Sequence, residues 1–320
     1  MSAPAEHRNV DASVWGALFT IYIVWGSTFA AIELAVRTIP PFLTMSARHL
    51  IAGSILLVWG LVRERERIGR QQILAATIFG GALFLGSHGL LAWAQQKIPS
   101  GVAALLVASI PLWVAVFDRL AFGKRLSRRA VLGLAVGFGG VALLVDPWGG
   151  GPVDTVAALG AVISAACWAA GSLYARGAPL PKGPIVSAGV ASLAGGILLL
   201  VASTLRGELS GLDTAAISGE SLFGVGYLIV VGSLVGLTAY VWLLKVAPTS
   251  LVATYAYVNP VVAVLIGWAI LDESFTATMI LAGALIVTAV AMIVSAPAPE
   301  REHGRGLLRR APAAEVRATR

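Results

Sequence analysis

The sequence predicts an all-α integral membrane protein with ten transmembrane helices. Three observations carry that expectation. Of the 320 residues, 58% are hydrophobic and only 12% are charged, whereas soluble domains carry roughly 25% charged residues. The apolar residues fall in long runs, and a helix needs about 20 of them to cross a bilayer. The Lys and Arg residues are concentrated in alternate connections between those runs. The runs also lack the strict alternation of a transmembrane barrel.

In chain order the spans lie near 14–35, 43–62, 73–93, 101–121, 130–146, 156–175, 185–205, 222–244, 250–271 and 277–295. The first follows a polar start and stays uncharged until Glu33. The second begins after "IPP" and ends at "RERER"; the third runs from there to "QQKIPS". "GKRLSRR" closes the fourth, and "DPWGGGPVD" is the clearest break, separating the fifth from the sixth. "RGAPLPKG", the polar stretch from Arg206, "KVAPTS" and "DESF" bound the remaining four. No cleavable signal peptide is evident, because no small-residue cleavage site leads into a polar mature domain.

If the N-terminus is cytoplasmic, the inside connections and tails hold 18 Lys and Arg and the outside ones hold three, Arg37, Lys97 and Arg206. By the positive-inside rule both termini face the cytoplasm. Residues 1–13 form a cytoplasmic tail, and the Arg-rich stretch 296–320 has the composition of a disordered one. The single cysteine, Cys167, excludes an internal disulfide and argues against a cysteine metal cage. The net charge of +7 does not point to nucleic acid, because the basic residues are short clusters between apolar spans.

Ten spans divide into two sets of five, 14–146 and 156–295, joined by an outside linker at 147–155. Pro99 and Pro111 are 12 residues apart, as are Pro248 and Pro260, and both pairs are offset by 149. "WGSTF" in the first span is echoed by "AGSLY" in the sixth. With five spans in each, the halves would be inverted relative to one another, a transporter architecture.

Several residues are candidates for transport. On the ninth helix Tyr255 and Asn259 lie about 40° apart, and Pro260 frees the carbonyl near Ala256. Irregular backbone at membrane depth is tolerated only inside protein or beside water, so this polar face is expected to line a central cavity. Pro111 holds the matching place in the fourth span. Trp25 and Thr28 share a face of the first span, Trp168 and Ser172 one of the sixth, and Tyr240 lies on a glycine-lined stripe of the eighth; these are candidate substrate contacts. His88 lies well inside the third span, on one face with Gln95 at 100° per residue. Its ordinary pKa of about 6.5 makes it a candidate for proton coupling. Glu33, Arg37, Arg48 and His49 fall within two turns of an interface, where snorkelling or local pairing is expected. Glu33 and Arg48 are candidate gating residues beside Pro111 and Pro260.

Four blocks, "YIVWGSTFAAIELAVRTIPPFLTMSARHLIAGSILL", "WAQQKIPSGVAALLVASIPLW", "CWAAGSLYARGAPLP" and "TYAYVNPVVAVLIG", closely resemble the EamA type of the drug/metabolite transporter superfamily, and its bacterial inner-membrane branch in particular. The resemblance covers almost all the chain to about Ser295. It implies ten helices in two repeats around a central cavity, and export of small metabolites. The order Glu33 then Arg37 is the reverse of the pair usual in that family, and His88 and Gln95 stand where relatives commonly carry Asn and Glu.

The reading is a secondary active transporter of the inner membrane, working without cofactor or metal as a monomer or homodimer. It would export a small neutral or zwitterionic solute, amino-acid-like or drug-like, because its central groups are aromatic and amide. A passive facilitator uses the same residues and is distinguished by flux that dissipates every gradient. An intramembrane enzyme is the weaker rival: two of the four histidines, His7 and His303, lie in the tails, and no nucleophile–base motif is evident.

Overall fold

The computed structural model describes residues 12–123, 126–145 and 153–294, all of them helix or short connections without a strand. The helices are α1 (Ala12–Val36), α2 (Pro41–Glu64), α3 (Arg70–Ala94), α4 (Ser100–Phe122), α5 (Arg128–Val145), α6 (Thr155–Ala175), α7 (Pro184–Leu205), α8 (Gly219–Val246), α9 (Tyr255–Ile270) and α10 (Ala277–Val294). Among the described residues nine are long and apolar enough to cross a membrane; α9 is a shorter apolar helix of 16 residues, preceded by a separate turn at Thr249–Val252. The expected edges agree within three residues everywhere except the start of α9. The terminal tails and most of the "DPWGGGPVD" turn lie outside the described residues.

Local chemistry sets the helix ends. Pro41 and Pro184 open α2 and α7, where the missing N–H would have no intrahelical partner anyway. Asp154 caps α6 by accepting from the Ala157 amide at 2.8 Å, and Ser218 caps α8 by accepting from Ser221 at 3.1 Å. Arg65 closes α2 in the left-handed conformation, φ 50°.

The bundle is built on antiparallel pairs. α2 lies along α7, and each caps the other. Glu208, just past α7, accepts from the Leu43 amide at 3.0 Å, while Glu64 and Glu66 accept from the amides of Val186 and Gly183 at 2.9 and 2.8 Å. Glycines let the two backbones touch: a methyl on Gly189 would stand 2.6 Å from the Leu57 nitrogen, and one on Gly60 2.8 Å from that of Val186. α5 pairs with α10 through Gly133, Gly137 and Gly140, as expected for a packing stripe. α1 packs on α8 and α9, and α6 packs on α3 and α4.

Four irregularities interrupt the helices. α3 widens into a π-helix at Gly81–Gly89, and α8 does so at Leu228–Val235. α4 breaks at Ala108–Ser109, and the chain entering α9 breaks at Ala253–Thr254. At each break a hydroxyl donates to the carbonyl three residues back, Ser109 to Leu106 and Thr254 to Leu251, both at 2.6 Å. The prolines therefore do not sit at the break points. Pro111 is the second residue of the segment Ile110–Phe122, and Pro260 lies inside α9. A proline ring collides with the carbonyl four residues earlier, which for Pro111 is that of Val107, just before the break, and for Pro260 that of Ala256, inside α9.

Candidate transport site

The candidate residues gather into two aromatic groups. In the first, Trp25 of α1 meets Tyr240 of α8 at 5.1 Å between ring centroids and Tyr255 of α9 edge-on at 5.0 Å; the two tyrosines are 5.9 Å apart. Gly236 makes room, since a methyl there would lie 2.5 Å from Trp25 Nε1. Thr28 turns its hydroxyl back to the Trp25 carbonyl at 2.6 Å. Tyr22 and Thr254 share a hydrogen bond beside the break before α9. The three rings are half-buried.

The second group forms around α3. His88 Nδ1 and His49 Nε2 are 2.8 Å apart, so one imidazole donates to the other. The His88 ring stacks on Trp168 of α6 at 5.5 Å, and Phe84 packs against both histidines. His88 and Gln95, expected on one face, have different partners: only His88 and Gly89 of the stretch between them belong to the π-helix, and α-helix follows from Leu90. Gln95 instead donates to the Phe29 carbonyl of α1 at 2.9 Å. Ser172 is half-buried on α6, and it is Ser164, two turns earlier, whose hydroxyl is engaged, by the Ala161 carbonyl at 2.8 Å.

Arg48 and His49 are not snorkelling residues: they are 6% and 3% exposed, turned into the bundle instead of along its surface. Arg48 Nε donates to Ser233 Oγ at 3.0 Å. Asn259 is buried, and its Oδ1, like Gln95 Oε1, has no hydrogen-bond partner among the described residues. An unpaired buried acceptor costs about 1–3 kcal/mol, so these two oxygens are candidates to receive a donor from a bound solute.

Glu33 joins a third, more peripheral cluster. Its carboxylate accepts from the Ser100 amide at 3.0 Å and lies 3.7 Å from Arg37, which makes a shorter pair with Glu220 at 3.1 Å. Glu273 accepts from the same Ser100 amide and from its hydroxyl, both at 2.6 Å, and from the Gly101 amide at 3.1 Å. Two carboxylates, from α1 and from the α9–α10 connection, thus cap the start of α4. A cavity of about 600 Å³ lies beside Glu273, lined by Val264, Leu265, Trp268 and Phe275 among others. Among the described residues no group of three or more His, Cys, Asp or Glu is placed to hold a metal.

Sequence reasoning missed Ser233, read His49 as an interfacial residue, and gave Glu273 no place in a site. Nothing in the local pattern around Glu273 signals a partner 173 residues away.

This arrangement sits in a chain whose relatives are recognisable. The profile of the EamA-like transporter family matches residues 14–146 and again 155–295. The chain belongs to the EamA-like transporter family. It is 35% identical over 288 residues to the uncharacterized inner membrane transporter YedA of Escherichia coli (strain K12), covering 88% of this chain and 90% of that one. It is 25% identical to a probable amino-acid metabolite efflux pump of Salmonella typhimurium (strain LT2), covering 84% and 90%. A solved structure at 22% identity superposes with a TM-score of 0.58, covering 88% of this chain and 97% of that one, and supports the fold alone. The EamA-like chain is therefore a multi-pass inner-membrane protein of a transporter family, and its aromatic groups are candidate contacts for a small-molecule substrate.

Proposed function

We propose that the protein is a secondary transporter exporting a small amino-acid-like or amphipathic solute across the bacterial inner membrane by alternating access. In this reading ten spans form two inverted five-helix repeats, 14–146 and 156–295, with both termini in the cytoplasm. The observation that carries it is the matched placement of the irregularities. The third helix of each half, α3 and α8, holds a π-helix, and the fourth of each half breaks at a hydroxyl residue. The contacts follow the same two-fold pattern: α2 with α7, α5 with α10, α1 on α8 and α9, α6 on α3 and α4. Such irregular backbone is placed where it lines a cavity, and both aromatic groups adjoin it.

The reading assigns Trp25, Tyr240 and Tyr255 as one wall of the substrate site, and His88 with Trp168 as the other. Thr28, Ser172 and Asn259 supply polar positions. The cluster of Glu33, Ser100 and Glu273 closes the outer end, while the breaks at Ala108–Ser109 and Ala253–Thr254, upstream of Pro111 and Pro260, are the bends about which the halves rock. His49 and His88 form a hydrogen-bonded pair suited to exchanging a proton. The name of the Salmonella typhimurium relative supports an amino-acid metabolite as cargo.

The test is counterflow in proteoliposomes. Protein loaded with an unlabelled amino acid should accumulate the labelled form against its gradient, and acceleration by a proton gradient would establish coupling. Channel-like rates with no counterflow would replace the transporter with a facilitator. A reporter fused after Arg320 should be active only in the cytoplasm; periplasmic activity would refute the ten-span topology.

A further inference from the structure

α2 carries one guanidinium into the interior without a counter-charge. Arg48 is 6% exposed. Its Nε is engaged by Ser233 Oγ at 3.0 Å, and Ser233 donates its own proton to the Leu228 carbonyl at 3.0 Å, so the hydroxyl is a fixed acceptor. Among the described residues no carboxylate lies within ion-pair distance of Arg48, and Nη1 and Nη2 have no hydrogen-bond acceptor. Five N–H bonds are available on a guanidinium, and one is used.

The surroundings keep that side of Arg48 clear. A methyl on Gly232 would lie 3.4 Å from Nη2, in ordinary contact, and 3.0 Å from the Thr28 methyl, so it would fill the space beside the fork that the glycine leaves open. Thr28 has turned its hydroxyl away, to the Trp25 carbonyl. His49, next to Arg48 in sequence, and its hydrogen-bond partner His88 carry no negative charge and cannot neutralise it. A buried charge with no partner is strongly unfavourable, and retaining one is the mark of a site completed by an ion from outside.

We propose that Arg48 is the anion anchor of the substrate site, seating the carboxylate of the transported solute on Nη1 and Nη2. This rests on the transporter reading and narrows its cargo to small carboxylates. A planar fork matches a carboxylate through two parallel hydrogen bonds. A phosphate dianion would meet only one cation here, whereas the single charge of a carboxylate is matched by one guanidinium.

The experiment measures binding to purified protein in nanodiscs, using L-leucine, L-phenylalanine and hexanoate, each beside its carboxamide, with inorganic phosphate as a further probe. The parent should bind carboxylates at least tenfold tighter than the amides. Arg48→Gln should erase that difference, Arg48→Lys should restore part of it, and Gly232→Ala should weaken carboxylates while leaving the charge in place. In the absence of any probe, Arg48→Gln should match or exceed the parent in thermal stability, because it removes an unpaired buried charge. Equal binding of acids and amides, binding of phosphate alone, no response to any probe, or a ligand-free Arg48→Gln protein much less stable than the parent would each overturn the assignment. Flux separates the two readings: a parent that moves the amides and not the acids refutes the anchor but keeps the transporter, whereas a parent that moves no solute refutes the transporter.

Discussion

Removing the Glu273 carboxylate should loosen the outer end of the bundle, and the size of the effect follows from its bonds. The first amides of a helix have no intrahelical acceptor, and α4 meets that need with Glu33 and Glu273. In Glu273→Ala the Ser100 amide keeps Glu33 at 3.0 Å, but the Ser100 hydroxyl and the Gly101 amide lose their acceptor. Hydrogen bonds to a charged group contribute about 1.5–3 kcal/mol each. Glu273 is only 9% exposed, so water replaces them poorly, and allowing for local relaxation the loss is about 2–4 kcal/mol. Glu273→Gln keeps one acceptor oxygen and should lose about half as much. Thermal unfolding in nanodiscs should fall in the order parent, Glu273→Gln, Glu273→Ala, and amide exchange should accelerate in the segment Ser100–Val107 before the rest of α4. If stability and exchange at that segment match the parent in both variants, the carboxylate is not what ties α9–α10 to α4.

Three other outcomes are expected. Gly189→Ala places a methyl 2.6 Å from backbone of α2, against an ordinary contact of 3.4 Å or more; overpacking of about 1–3 kcal/mol should outweigh the roughly 1 kcal/mol helical preference for alanine. Gly16→Ala, with nothing within 4 Å, should be neutral or stabilising, so opposite signs in a melting assay check the packing argument. Tyr255→Ala and Asn259→Ala should each weaken binding of a transported solute by about tenfold, roughly 1.4 kcal/mol, whereas Leu265→Ala, at a residue 55% exposed, should bind like the parent in the same titration. Slight desolvation raises the proton affinity of Glu66, but the Gly183 and Lys182 amides and Gln72 outweigh it and hold the carboxyl below its ordinary value. The folded state then binds fewer protons, so this contribution is full above the ordinary carboxylate pKa and is lost as pH falls through the lower folded one. Glu66→Gln should flatten that acid-side slope by no more than about 1 kcal/mol, as befits a solvent-accessible group.

The spans were legible because hydropathy and basic clusters are properties of contiguous sequence, and lipid enforces them one helix at a time. The site was legible only in part, for a reason visible in α3 and α9. A helical wheel assumes 100° per residue, and that holds for Trp25 and Thr28 on α1. It does not hold across Gly81–Gly89, where the turn is a π-helix, and it says nothing of the His49 and Trp168 rings that His88 meets on other helices. Nor does it warn that Val264, on the far side of α9 from Tyr255, is half-buried against the core, because α9 packs on both α1 and α4. Contacts such as Ser100 with Glu273 join residues 173 apart, and no local pattern encodes them.

The irregular segments also explain why the two aromatic groups sit where they do. An unbroken α-helix satisfies its backbone internally and presents side chains at fixed angles. A π-helix or a break leaves amides and carbonyls poorly paired, which hydrocarbon does not tolerate, so each must be covered by protein or face water. Here α1 and α2 cover the wide turn of α8, and α6 and α7 cover that of α3. Trp25 and Arg48 are thereby brought onto Gly236 and Ser233 at the wide turn of α8, and Trp168 onto His88 at that of α3. Straightening either turn would separate the ring or the guanidinium from its partner. At α8 the aromatic group, the buried cation and the irregular backbone are therefore one structural unit, and Gly232→Ala, which presses on Thr28 and fills the space beside Arg48 without altering any charge, is the substitution that tests whether they act as one.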